Sequence, residues 1–319
     1  MASTDARLKI GLIGSQGPEA DGWLWAITAE AGVDLYCAST VGAQAERLAA
    51  MAGGDSHATV AQLLAPVPDA IVVAVPEQDR YETALRLVSD PRAASLHSVL
   101  VVGDRLTAEP ATDAELIRVA TERGVALAQP FAQPLMLRWA IDAARSDAFL
   151  LPDRIEYEWV MREKWASVLR TYGPQALTAL CALIPDERID TVRAWDGGGN
   201  CRIVLCADEM ELELTINAGV KHAIDDHAVK LSVLGHHELK AGFNTSTGDA
   251  ARSPGFIAAE DLLDAVVHEW LMRVRERRAL PVTNADMLRV LGVHAAALES
   301  SASGDAVAPL TPDQILRGS

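Results

Sequence analysis

The sequence has few basic residues, few cysteines and no long apolar run. Its 28 Lys and Arg residues are outnumbered by 44 Asp and Glu residues, so the formal net charge is −16 at pH 7. A surface of that sign repels phosphate backbones and anionic lipid heads, and we expect neither a nucleic-acid partner nor a membrane-surface partner. No run approaches the roughly 18 apolar residues of a membrane-spanning helix. The amino terminus lacks an apolar signal-peptide core. These absences predict a soluble, cytoplasmic protein.

The cysteines and histidines do not have the spacing of a metal site. The four cysteines lie at positions 37, 181, 201 and 206, three of them inside apolar runs. This spacing fits neither a zinc ribbon nor a disulfide framework and predicts buried thiols. Residues 221–227 group two histidines and two acids, but without the i, i+4 spacing of a helical metal site. We therefore predict a polar loop there and no metal.

The first 130 residues alternate short apolar runs with helical stretches. The runs cover residues 8–14, 33–39, 70–75, 98–102 and 125–128, and helices are predicted after the first run and over 43–51, 80–88 and 112–123. Strands that alternate with helices indicate a parallel, doubly wound sheet. Residues 70–75 are continuously apolar, which is typical of a strand covered on both faces.

After residue 130 the pattern changes to a period of two. Segments 154–160, 190–195, 202–207, 211–216 and 229–234 alternate polar and apolar residues. Such strands have one solvated and one packed face, as in antiparallel sheets. Helices are predicted over 174–183, 259–278 and 283–300. The prediction is a Rossmann-type α/β domain over 1–130 and an α+β domain with a large, mainly antiparallel sheet over 131–319. Whether the closing helix packs on the first domain stays open.

The turn after the first strand departs from a dinucleotide-binding turn. It reads Gly14, Ser15, Gln16, Gly17, whereas such turns have Gly-x-Gly-x-x-Gly or Ala, and the second glycine lets the pyrophosphate approach. Gln16 takes that second position. The second strand ends at Ser39 and Thr40, with no acid for a ribose hydroxyl and no adjacent Arg for a 2′-phosphate. Both readings remain open here: a nucleotide site of altered affinity, or a scaffold that no longer binds one.

Three segments resemble the Gfo/Idh/MocA oxidoreductases over nearly the full length. Residues 68–76 resemble the family's fourth strand, which ends at a proline near the nicotinamide, here Pro76 after Val75. The closing helix pair, joined by residues 280–283, and the second, antiparallel domain agree with it. The resemblance implies a NAD(P)-binding domain, a sheet domain that commonly forms a homo-oligomer interface, and a substrate cleft between the domains. The cofactor candidates are Gly14, Ser15, Gln16, Gly17, Ser39, Thr40, Val75 and Pro76.

The family's first catalytic motif is replaced. After the fifth strand, members carry Glu-Lys-Pro, whose lysine lies by the reacting carbon. This chain has Gly103, Asp104 and Arg105, so a carboxylate stands where the family has an ammonium group. The family's Gly-Phe-Asn after the sixth strand is Pro-Phe-Ala over residues 130–132.

The second motif, Asp-x-Gly-x-His-x-x-Asp, is replaced as well. It corresponds to residues 171–178, in which Gly173 is kept, Gln175 replaces the histidine and threonines replace both acids. Glutamine cannot act as a general acid or base near neutral pH. The nearest proton donor to the expected cleft is Tyr172. The candidate catalytic residues are therefore Asp104, Tyr172 and Gln175.

Three functions remain open. The first is an atypical NAD(P)-dependent oxidoreductase of a small metabolite, in which Tyr172 or Asp104 supplies the proton. The second is a cofactor-independent cyclase, lyase or isomerase that uses Asp104 as its acid or base. The third is a catalytically silent subunit or sensor. Family analogy favours the first function, and the replaced residues favour the second.

Overall fold

The computed structural model describes residues 7–14, 18–39, 42–57, 59–103, 106, 110–129, 154–161, 167–183, 189–197, 199–207, 210–219, 226–233, 237–244 and 259–317. The chain divides into two compact units. The first comprises Met1–Pro130 with Leu263–Asn284, and the second Phe131–Leu262 with Ala285–Ser319. The sequence left open whether the closing helix joins the first domain. In the structure it is the preceding helix that belongs there, from Leu263 onward.

The first unit is built on a six-stranded parallel sheet of order β3-β2-β1-β4-β5-β6, the strand order of a dinucleotide-binding fold. Its elements are β1 (Leu8–Gly14), α1 (Pro18–Ala29), β2 (Val33–Ala38), α2 (Gly42–Ala52), β3 (Asp55–His57), α3 (Val60–Leu63), β4 (Ala70–Ala74), α4 (Glu77–Ser89), β5 (Ser98–Val101), α5 (Pro110–Glu122) and β6 (Ala126–Ala128). All five residues of β4 are buried, as the continuous apolar run predicts.

Helix α7 (Ala259–Glu276) completes the first unit from Leu263 onward. Trp270 is fully buried, and its indole N–H donates to the Ser98 hydroxyl at 3.1 Å. Asn284 caps the sheet edge, because its side chain accepts from the Leu127 amide at 2.8 Å and donates to the Val125 carbonyl at 3.0 Å. A segment distant in sequence therefore covers β5 and β6.

The second unit contains a six-stranded mixed sheet of order β12-β11-β7-β10-β9-β8. Its elements are β7 (Arg154–Met161), α6 (Val168–Leu183), β8 (Thr191–Gly197), β9 (Asn200–Ala207), β10 (Met210–Ala218), β11 (Asp226–Val233), β12 (His237–Asn244), α8 (Asn284–Ser303) and α9 (Pro312–Leu316). Pairings are antiparallel except between β7 and β10. That pair is parallel because α6 and the β8–β9–β10 meander return the chain in the direction of β7.

Several predicted boundaries are wrong. Helix α6 begins at Val168 rather than at Pro174, because the Ser167 hydroxyl accepts from the Arg170 amide at 3.2 Å and caps the helix there. The helix continues through Pro174, where the neighbouring Gly173 packs on another helix of the same unit. Helix α5 begins at Pro110, so Thr112 lies inside it and is not its cap. Helix α4 begins at Glu77, with acidic side chains in its first turn.

Short or polar elements were missed. Strand β3 reads Asp-Ser-His and has no apolar pattern, yet it pairs with β2 at the sheet edge. The sequence predicted no strand over β12 either. In the structure β12 pairs antiparallel with β11, and Val233 of β11 lies opposite His237 of β12. These two strands form because their backbones pair with β2 and β11, and not because of a local pattern of polar and apolar residues.

The carboxyl-terminal segment is anchored to the second unit. Val192 in β8 and Val307 exchange backbone hydrogen bonds of 2.8 and 2.9 Å. Gly292 in α8 has no side chain, and a Cβ there would lie 2.2 Å from the Leu310 carbonyl oxygen. The segment therefore covers the edge of β8 and packs directly on α8.

The cysteine environments confirm buried thiols at three positions. Burial raises the pKa of Cys37, Cys181 and Cys201 to about 12 each, and Cys206 is half-buried. Within the described parts of the chain, no three His, Cys, Asp or Glu side chains are grouped to hold a metal ion. Residues 221–225 lie outside the described residues. None of the described helices combines the length and apolar character of a membrane span.

Candidate functional site

The candidate site of the first unit lies at the carboxyl ends of β1 and β4. Strand β1 is flanked by β2 and β4, and the strand order reverses between β1 and β4. Open parallel sheets bind ligands in the crevice at such a switch point, outside the carboxyl ends of the strands. The described cofactor candidates Gly14, Ser39, Val75 and Pro76 all lie at this edge.

Gly14 is the last residue of β1 and allows two helices to approach the strand. A Cβ at this position would lie 2.6 Å from Leu48 Cδ1 in α2 and 3.4 Å from Ala20 Cβ in α1. Close helix–strand packing is a recognised role of glycine in dinucleotide-binding turns. This part of the turn fits a dinucleotide fold. Ser15, Gln16 and Gly17, which would meet the pyrophosphate, lie outside the described residues.

Ser39 follows β2, where dinucleotide-binding folds often carry an acid for the ribose. It is 4% exposed, and its hydroxyl lies 3.4 Å from Gln44 Oε1 in α2, a long hydrogen bond. The small hydroxyl brings no charge to this position. Thr40 lies outside the described residues. The end of β2 thus has neither the acid typical of NAD sites nor a basic residue directly following it.

Arg80 was missed by the sequence analysis and lies at the same edge. It is 9% exposed, and its Nε–H donates to the carbonyl of Val75 at 3.2 Å. Its guanidinium also lies against Gly103, just after β5: a Cβ there would be 2.1 to 2.4 Å from the guanidinium atoms. Gly103 has φ of +136°, a conformation that favours glycine.

A signal for Arg80 was present in the sequence. The buried positions of α4 are Arg80, Thr83, Ala84, Leu87 and Val88, which is the i, i+3, i+4, i+7 spacing of a buried helix face. Arginine at the first position of that stripe indicates a buried charge, and buried charges require partners. Asp104 and Arg105, one and two residues beyond Gly103, lie outside the described residues.

Gly173 of the second motif has a packing role. A Cβ on Gly173 would lie 3.1 Å from Cδ2 and 3.2 Å from Nε2 of His294 in α8. His294 is 2% exposed, and its Nε2 lies 3.1 Å from the carbonyl oxygen of Leu169 in α6. The retained glycine therefore lets α6 pack directly on a buried imidazole.

The other described motif positions hold no titratable group. Thr178 donates its hydroxyl to the Pro174 carbonyl at 2.8 Å, one turn back in the same helix. The amide oxygen of Gln175 is buried and has no hydrogen-bond partner among the described residues.

Tyr172, the predicted proton donor, lies beside a buried tryptophan. Its ring meets that of Trp159 in β7 edge-on, with centroids 5.3 Å apart and planes at 75°. Trp159 is 6% exposed, whereas Tyr172 is half-buried. Tyr172 and Gln175 are three residues apart in α6 and so lie on neighbouring positions of the helix surface. The structure brings these two candidates together within the second unit.

Solved structures similar to this chain include dehydrogenases. GenD2 from gentamicin A biosynthesis, in complex with NAD, matches at 17% identity with a TM-score of 0.70, over 95% of this chain and 96% of that chain. A putative myo-inositol dehydrogenase from Sinorhizobium meliloti 1021 matches at 13% identity with a TM-score of 0.74, over 95% and 100%.

UDP-N-acetylglucosamine 3-dehydrogenase GnnA from Acidithiobacillus ferrooxidans matches at 18% identity with a TM-score of 0.66, over 97% of this chain and 99% of that chain. No protein-family model matches the sequence, and no curated protein matches it either. At such identities the likeness establishes the fold and not the activity. The chain has the two-domain fold of these dehydrogenases, and this is the fold that the sequence resemblance predicts.

Proposed function

We propose that this protein is an atypical NAD(P)-dependent oxidoreductase that acts on a small metabolite. The observation that carries the proposal is the parallel sheet of order β3-β2-β1-β4-β5-β6 with Gly14 at its switch point. Gly14, Ser39, Val75 and Pro76 would line the cofactor, together with Ser15, Gln16, Gly17 and Thr40. When bound, NAD or NADP would supply hydride chemistry, and the chain's own residues would bind and orient the substrate.

The proton would come from Tyr172 or Asp104, because the family's lysine and histidine are absent. Tyr172 is half-buried against Trp159, which orients its ring. Gln175 stays neutral at all working pH values, so its amide serves binding and not proton transfer. This division of roles predicts that Tyr172→Phe lowers kcat, whereas Gln175→Leu mainly raises KM.

The test is a fluorescence titration of the purified protein with NADH and with NADPH. Micromolar affinity for either cofactor supports the proposal, and no binding at millimolar cofactor rejects it. Gln16→Gly restores the usual second glycine of the turn and should tighten binding. Gln78→Ala removes an exposed glutamine from α4 and is the matched control, which should leave binding unchanged.

The second candidate is a cofactor-independent cyclase, lyase or isomerase with Asp104 as its acid or base, or else a catalytically silent homologue. The observation in its favour is the second motif, where Gly173 packs on His294 and Thr178 bonds to its own helix. A thermal-shift screen of small metabolites, including polyols and nucleotide sugars, separates the alternatives. A ligand that stabilises the protein without nucleotide, and whose turnover is lost in Asp104→Ala, would identify the enzyme. Binding without turnover would identify the silent form.

The proposed assembly is a homo-oligomer formed through the sheet of the second unit. Trp195 in β8 is 48% exposed, and the Arg202 guanidinium in β9 lies 5.4 Å from the centroid of its ring. Arg202 also makes a bidentate pair with Glu213 in β10, at 2.6 and 3.0 Å. Light scattering after size-exclusion chromatography gives the mass. A mass of one chain, 34.1 kDa, would reject the oligomer, and Trp195→Asp should dissociate it.

A further inference from the structure

Arg80 links the chain segments that leave two neighbouring strands. The Val75 carbonyl, which accepts from Arg80 Nε at 3.2 Å, follows β4. Gly103, whose Cα faces the guanidinium, follows β5. The two strands pair in parallel from Ala70↔Ser98 to Val73↔Val101. One side chain from α4 therefore reaches both connections at the carboxyl edge of the sheet.

The geometry at Gly103 depends on a planar cation. The guanidinium occupies the space into which any other residue would place its Cβ, and the φ of Gly103 keeps the backbone there. A guanidinium has a fixed fork of donors, whereas an ammonium group is a point charge on a flexible stem. A lysine at position 80 would keep the positive charge. Its single ammonium group could not both fill the flat space beside Gly103 and replace the hydrogen bond that Arg80 Nε donates to the Val75 carbonyl.

We propose that Arg80 is a positioning residue that clamps the connections after β4 and β5 into the shape needed for dinucleotide binding. The proposal rests on the proposed function for its ligand, but the clamp itself is a property of the described residues. Ligands bind outside these strand ends in parallel sheets, so a displaced connection changes affinity even if Arg80 touches no ligand. A misplacement of about 1 Å can cost about a hundredfold in function.

The clamp can be measured without cofactor by hydrogen exchange of peptides covering residues 98–103. The Val102 amide donates to the Val73 carbonyl at 2.9 Å, so its exchange reports the connection after β5. Arg80→Met and Arg80→Lys should both speed exchange of this segment. Arg86→Met, which removes an exposed arginine from the same helix, is the matched control and should leave exchange unchanged.

Dinucleotide affinity is the second measurement, made on the same variants. We expect Arg80→Met and Arg80→Lys to weaken NADH or NADPH binding about tenfold to a hundredfold. Guanidinium ion, added far below denaturing concentrations, should restore binding and slow exchange in Arg80→Ala. A residue that only stabilised the fold would give a lower melting temperature in Arg80→Ala without rescue of binding or of exchange by guanidinium, and that result would overturn the clamp.

The two proposals fail in different ways. Binding by the wild type together with unchanged affinity and exchange in Arg80→Met would overturn the clamp and leave the proposed function intact. If the wild type binds no dinucleotide, the proposed function fails, and exchange alone decides the clamp: faster exchange in Arg80→Lys supports it, and unchanged exchange overturns it. Arg80→Lys keeps the charge, so it remains informative should Arg80→Met fail to fold.

Discussion

The imidazole of His294 lies against the Cα of Gly173, so that a methyl group on Gly173 would come within 3.1 Å of the ring. This contact joins α6 and α8 inside the second unit. It explains in packing terms the one motif residue that the chain keeps. The ring cannot move away freely, because its Nε2 contacts the Leu169 carbonyl at 3.1 Å.

The first prediction is that Gly173→Ala destabilises the protein. Overpacking a filled site costs about 1–3 kcal/mol. Because the imidazole is held at the Leu169 carbonyl, we expect the upper part of that range, which exceeds the gain of about 1 kcal/mol that alanine brings to a helix interior. In a His294→Ala background the ring is gone and Leu169 Cδ1, 3.2 Å from the same Cβ position, is the close contact that remains, so the same substitution should cost clearly less. Urea unfolding of the wild type, both single variants and the double variant measures the coupling. Equal effects of Gly173→Ala in both backgrounds would show that the contact is not tight.

The second prediction concerns the carboxyl-terminal segment. Gly292→Ala places a Cβ 2.2 Å from the Leu310 carbonyl oxygen, so the segment must move off α8. We expect a loss of about 1–3 kcal/mol in the free energy of unfolding and faster proteolysis after residue 304. Ala295→Ser changes an exposed residue of the same helix and should alter neither. Unchanged proteolysis of Gly292→Ala would contradict the contact.

The third prediction concerns thiol reactivity. Burial raises the pKa of Cys37, Cys181 and Cys201 to about 12, and thiols react as thiolates. At pH 8 a thiol reagent should label native protein at Cys206 first, and the other three should react only on unfolding. Peptide mass mapping after brief labelling identifies the site. Cys206→Ser serves as the control and should remove the fast phase.

The fourth prediction is a pH dependence of stability at His97. Burial, more than the nearby Arg277, lowers the pKa of His97 below the ordinary value of 6.5, and a backbone hydrogen bond with Arg278 and the charge of Asp69 oppose this. The unfolded chain then binds the proton more readily than the folded one. The contribution of neutral His97 to the free energy of unfolding is therefore fully present above pH 6.5 and is lost as the pH falls through the pKa of His97 in the folded protein.

Melting temperatures of the wild type and of His97→Gln between pH 8 and pH 5, the range in which histidine titrates, test the direction of this pH dependence. The wild type should lose more stability than His97→Gln on acidification. An equal loss in both proteins would show that His97 does not contribute to the acid sensitivity.

Much of the fold follows from local pattern. The alternation of apolar runs and helices predicts the parallel sheet, and the apolar run over residues 70–75 correctly indicates the fully buried β4. Period-two alternation likewise predicts most strands of the second sheet. Backbone geometry sets the period at which side chains point to one face of a helix or strand, so this period can be recognised in the sequence without knowledge of any long-range contact. Helix starts were less accurate, because caps such as Ser167 compete with glycine and proline signals nearby.

The candidate site was predictable in part. Gly14, Ser39, Val75 and Pro76 do lie at the carboxyl edge, because a parallel sheet brings the ends of its strands together. Tyr172 and Gln175 share a helix surface because of their spacing. The helical spacing of α4 indicates that Arg80 is buried, but its contact with Gly103 joins two connections of the sheet, and no local pattern encodes that contact.

By itself, the sequence determined the alternation of strands and helices and the excess of acidic over basic residues, and it predicted that the lysine, histidine and acids of the family it resembles are replaced. These are properties of residue type and spacing, which exist before the chain folds. Only the tertiary structure decided that β7 and β10 run parallel, that Gly173 packs against the His294 imidazole, and that the Arg80 guanidinium lies against Gly103. Each of these depends on which distant segments meet, and close packing selects one such arrangement among many with the same local pattern.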